Sequence, residues 1–130
     1  LTNEGIMRAL VKAGHLEKFN DRNYVFLNKN VDVDFFDEEE THTTNLKSMI
    51  AEIDEKTNFM TAINNVVVVS DSGATLYTDT LKWDSKEEII YTASPIMLTT
   101  NKNDTLYGSG FESDVGLNHW KILYPSGVSN

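Results

Sequence analysis

The sequence predicts an all-β antiparallel fold of about ten strands, built as a β-jelly roll or a trough of stacked hairpins. Three observations carry that expectation. Val, Ile and Thr supply 31 of the 130 residues and Ala only six, and branched side chains suit a pleated surface better than a helix. Apolar and acidic residues alternate with period two over Val31–Asp32–Val33–Asp34–Phe35. A spacing of 30 residues relates three segments of equal length, Leu46–Asp54, Leu76–Asp84 and Leu106–Asp114.

Taken in order, residues 6–19 are the ambiguous stretch. Ile6, Met7, Leu10, Val11 and Ala13 make an apolar stripe at helical spacing, flanked by Gly5 and Gly14, and on its own the segment suits a helix as well as a bent strand. In the alternating segment Val31, Val33 and Phe35 take the buried face and the two aspartates face water. The run Asp37–Glu38–Glu39–Glu40 reads as a solvated turn, because it lacks the spacing and the glycine of an EF-hand. Asn28–Lys29–Asn30 and Asn101–Lys102–Asn103 read as tight connections.

The repeat orients the remaining strands. Ala51, Leu81 and Phe111 align, as do Ile53 and Trp83. Thr80 and Lys82 occupy the alternate face, so Leu81 and Trp83 point inward. The aspartate that follows starts a turn, where its side chain can accept from nearby backbone amides. Ile96 and Leu98 form a more apolar phase than Met97 and Thr99, and their repeat partners Val66 and Val68 therefore face in as well. Each unit reads as strand, Asp turn, strand, loop, and such units must stack to bury their apolar face.

The length gives one domain, residues 1–130. A net charge of −9 argues against nucleic acid and against docking on anionic head groups. No catalytic residue, metal ligand or cofactor is expected. There is no Cys, the three histidines His15, His42 and His119 are far apart, and no nucleophile elbow, H-E-x-x-H or P-loop occurs. Gly108–Ser109–Gly110 suggests close packing within a strand, and stacked turns would set Asp54, Asp84 and Asp114 in a row along one edge.

With these residues in view, the chain resembles the LptC/OstA-like family of lipopolysaccharide-export proteins. The resemblance rests on Asn65–Val69, Gly73, Leu76–Asp84 and Leu106–Asp114, closing with Trp120–Lys121–Ile122, and it is most similar to the Bacteroidetes branch. It implies a periplasmic jelly roll or trough with an apolar interior, anchored in the inner membrane by one N-terminal helix. The chain begins at Leu1, so that anchor is expected to be absent from the sequence given. The implied partners are lipopolysaccharide, an inner-membrane ABC transporter and a soluble periplasmic carrier of the same fold. The resemblance also turns residues 6–19 from helix into strand.

The expected lipid-binding surface is then the inward set Val31, Val33, Phe35, Ile53, Val66, Val68, Leu81, Trp83, Ile96, Leu98 and Phe111. The expected partner edge is Trp120, Ile122 and Tyr124. The alternative is a β-repeat scaffold or cell-envelope assembly module whose interior is ordinary core.

Overall fold

The computed structural model describes residues 2–3 and 6–126. Thirteen strands and no helix occur among the described residues. β1 (Thr2–Asn3) and β2 (Ile6–Met7) pair with each other. The other eleven form one sheet: β3 (Ala9–Lys12), β4 (His15–Phe19), β5 (Tyr24–Asn28), β6 (Val31–Phe36), β7 (His42–Ser48), β8 (Ile50–Asp54), β9 (Phe59–Ser70), β10 (Thr75–Asp84), β11 (Ile89–Thr99), β12 (Thr105–Asp114) and β13 (Trp120–Pro125). Every pairing is antiparallel, and the sheet does not close. The helix that the stripe at residues 6–19 allowed is thus replaced by strand. Ala9–Lys12 pair with β6 and His15–Phe19 with β5, so tertiary pairing overrides a spacing that local sequence leaves ambiguous. Gly5 lies outside the described residues.

The long strands each serve two leaves. Residues 67–70 of β9 pair with β7, whereas 59–63 pair with β8. Across this fork the first leaf runs β3–β6–β7 and on through the 66–70 half of β9; the second runs β4–β5–β8 and on through the 59–63 half. β10, β11, β12 and β13 cross from one leaf to the other.

A line of irregular residues marks the corner. Asn64 and Asn65 take φ of 67° and 53°, and Gly110 takes 78°. Register shifts fall between Thr78 and Thr80 and between Thr92 and Pro95. Such bulges bend a strand and displace its inward phase by one. Leu76 and Thr78 face in before the bulge of β10, Leu81 and Trp83 after it.

At the far end of the second leaf the three repeat aspartates cap equivalent turns. Asp54 Oδ1 accepts from Lys56 N at 2.9 Å, Asp84 Oδ1 from Lys86 N at 3.0 Å, and Asp114 Oδ1 from Asn118 N and His119 N at 2.9 and 2.8 Å. The acidic run is a turn too, with Asp37 Oδ1 accepting from Glu39 N and Thr41 N. The leaves pack face to face over one apolar core, whose largest buried side chains include Trp83, Phe35, Phe111, Leu27, Leu46 and Leu76. Phe35 of the first leaf meets Trp83 of the second edge-on, with ring centroids 4.8 Å apart.

Candidate functional site

β3 and β4 diverge from Gly14, one into each leaf. The Gly14 amide donates to Lys29 O at 2.9 Å, and a Cβ there would lie 2.7 Å from that same oxygen, so only glycine allows the chain to turn this closely. The divergence leaves a groove of about 490 Å³ at the N-terminal side of the sandwich. Leu10 and Val11 of β3 line it, with Leu16 and Lys18 of β4, Val25 and Leu27 of β5, Ile53 of β8, and Glu55 and Asn58 in the turn beyond.

This groove is apolar from its surface to the core. Leu16 is 58% exposed and Leu10 41%, while Val25, Leu27 and Ile53 are buried members of the core cluster. Exposed leucines continuous with a core are the feature that distinguishes a ligand groove from scattered surface apolars. The charges lining it are Lys18 and Glu55, which pair with each other at 3.4 Å. Such a lining can take hydrocarbon, and it holds no acid–base pair aimed at a substrate.

The structure brings all eleven residues of the inward set into the single core cluster, each 7% exposed or less. Ile53 alone among them also lines the groove. Sequence reasoning missed Leu10, Val11, Leu16, Val25 and Leu27. The available signal was Leu16 between the polar His15 and Glu17 and the short apolar run Tyr24–Val25–Phe26–Leu27, which lie upstream of the repeat and have no repeat partner to orient them.

Trp120, Ile122 and Tyr124 lie on β13, the last strand in the sheet order, which pairs with β12. Tyr124 is 73% exposed and Trp120 is also exposed, whereas Ile122 packs against the core.

Two polar clusters lie away from the groove. Tyr24 Oη donates to Glu52 at 2.6 Å, and burial together with that carboxylate pushes the phenol up to about 12. His42 sits between Asp71 at 2.6 Å and Asp34 at 2.9 Å, and the two carboxylates raise its pKa above the usual imidazole value. Asn45, and after it His42, hold Asp34 below the usual carboxylate range. Among the described residues no group of three His, Asp or Glu side chains is placed to hold a metal ion.

Comparison with known proteins places this geometry. The crystal structure of LptH from Pseudomonas aeruginosa, the LptA-homologous periplasmic component of the conserved lipopolysaccharide transport device, is similar in fold. Its TM-score is 0.65 at 11% sequence identity, over 88% of this chain and 80% of that chain. No curated protein matches the sequence. The family described as lipopolysaccharide-assembly, LptC-related, matches residues 1–123. The chain belongs to the LptC-related family of lipopolysaccharide-assembly proteins.

Proposed function

We propose that the chain accepts lipopolysaccharide from an inner-membrane ABC transporter, holds its acyl chains between the two leaves, and passes them to a soluble periplasmic carrier of the same fold. The observation that carries this reading is the apolar groove between β3 and β4, continuous with the core. A scaffold with no lipid needs no such opening. The sugars stay outside, where the surface carries the net charge of −9 and the groove's one cation is already paired. An N-terminal helix preceding this domain anchors it in the inner membrane, as the family resemblance implies.

Energetics favour a half-open site. Each buried methylene contributes about 0.8 kcal/mol, so a fully enclosed twelve-carbon chain would gain about 10 kcal/mol, and several such chains would stay bound. A groove that covers each chain in part lowers that gain and lets the lipid move on.

The hand-off uses sheet edges. β4 pairs with β5 and ends the second leaf on one side; β13 ends the sheet on the other. Edge strands present N–H and C=O groups to an incoming chain. We assign the N-terminal margin to the transporter and β13, through Trp120, Ile122 and Tyr124, to the carrier.

The test is Leu16→Glu. Leu16 is exposed, so the variant should keep its melting temperature while its affinity for lipopolysaccharide falls about tenfold, the effect of losing one buried leucine contact. Unchanged affinity in the folded variant would contradict the proposal.

A further inference from the structure

The leaves are continuous with each other along the corner, but on the opposite side they are held by side chains. Arg8, whose Nε donates to Phe36 O at 3.0 Å at the margin of the first leaf, forms an ion pair with Glu88 in the β10–β11 turn of the second. Thr44 Oγ1 donates to Val115 O at 2.9 Å, and Ser70 Oγ to Gly116 O at 2.7 Å. No strand ladder joins the leaves on this side among the described residues. A cleft of about 290 Å³ lies between these contacts, lined by Arg8, Phe35, Phe36, Glu88 and Val115 among others.

Phe35 leads from that cleft to Trp83. The two rings meet at 85°, and Trp83 is 1% exposed. Its Nε1 is buried and has no hydrogen-bond partner among the described residues. A tryptophan buried this deeply normally finds an acceptor, because an unpaired donor in an apolar interior costs free energy, and an aromatic face is a weak substitute. Phenylalanine would fill much of this space without that cost. The unpaired donor therefore points to an acceptor that arrives with a ligand.

We propose that Trp83 is a polar anchor inside the acyl path. Parting the leaves at the Arg8–Glu88 clasp admits an acyl chain beside Phe35, and the ester or amide carbonyl at the head of that chain accepts a hydrogen bond from Trp83 Nε1. The inference rests on the reading of the interior as an acyl path and adds its chemistry: the ligand is recognised as an acyl group, with its carbonyl, and not as hydrocarbon alone. A carbonyl fits because it is the first polar group an acyl chain carries into an apolar space, and a strong acceptor there pairs the buried donor left over among the described residues.

The chain has two tryptophans, so Trp120→Phe makes Trp83 the sole emitter. The full chain in this background is titrated with a single-chain phospholipid carrying an ester-linked fourteen-carbon tail, with its ether-linked counterpart, and with lipopolysaccharide. The expected result is that the ester lipid binds about fivefold more tightly than the ether, the net effect of one hydrogen bond, and that Trp83 emission shifts to the red as it binds. Trp83→Phe should bind both lipids equally. The emission shift is read in the folded parent background, so the test stands even if the Trp83 variant fails to fold. Equal binding of ester and ether, or bound lipopolysaccharide with Trp83 emission unmoved, overturns the anchor and leaves the acyl path intact. If none of the three lipids binds, the acyl path falls and the anchor with it.

Discussion

Asp54, Asp84 and Asp114 stand thirty residues apart, and each directs a side-chain oxygen at the backbone amides of its own turn. Asp84→Ala removes the acceptor of Lys86 N and Glu87 N, and should lower stability by about 1–2 kcal/mol, or roughly 5 °C in melting temperature. Asp84→Asn, which keeps an acceptor oxygen, should retain most of that stability. The spacing makes these turns legible in the sequence itself. The bridge at His42 was not legible, because Asp34 and Asp71 are 8 and 29 residues away and meet the imidazole only through the folded turns. Its pH dependence has a definite sign. A histidine whose folded pKa is raised contributes fully below its unfolded value of about 6.5, and that contribution fades as pH rises through the folded value. Melting temperature should therefore decline from about pH 6.5 upward across that window, and His42→Gln should flatten the decline. A parent curve that rises over the same interval would rule this assignment out.

Strands and turns were readable as elements; the corner was not. A strict period of two from Leu81 puts Leu76 on the outer face, yet Leu76 is fully buried, because the bulge between Thr78 and Thr80 resets the phase. The same odd spacing of five separates Leu46 from Ala51 and Leu106 from Phe111, so the repeat carried the bulge in plain sight. Asn64–Asn65 and Gly108–Ser109–Gly110 are the residues that mark it locally. Gly108 has a second duty at the last strand. A Cβ there would collide with Ile122 Cγ2 and lie 2.8 Å from Tyr124 O. Gly108→Ala should push β13 off β12, cost about 1–3 kcal/mol, and reduce joining to the carrier, as amide exchange along Trp120–Pro125 and pull-down with the carrier would show. The clasp across the leaves gives a kinetic counterpart. Glu88→Gln should speed uptake of lipopolysaccharide measured by stopped flow, with little change in the secondary structure seen by circular dichroism; an unaltered rate would detach the Arg8–Glu88 pair from uptake.

For the molecule as a whole, branched composition and the thirty-residue period were sufficient to indicate an open antiparallel β architecture; the inward phase of eight residues was readable because repeat partners settle each other's orientation, and that of Val31, Val33 and Phe35 from their own alternation. The groove was hidden for the converse reason. Most of its walls come from residues 10–27, where no repeat partner exists and an apolar stripe fits helical spacing as well as two short strands. The difference between core and groove also sets how substitutions behave. Leu81→Glu places an unpaired charge among buried apolar side chains and should destabilise the fold by several kcal/mol, whereas Lys82→Glu on the exposed face should leave it folded. Lipid contact is tested most directly by site-specific photocrosslinking in the cell envelope, with a benzophenone side chain at Leu10 or Leu16 in the groove and at Tyr77 or Lys82 on the outer faces. Covalent adducts with lipopolysaccharide at the two groove positions and none at the outer ones are the expected result; adducts absent from the groove, or equally strong at Tyr77 and Lys82, would contradict it.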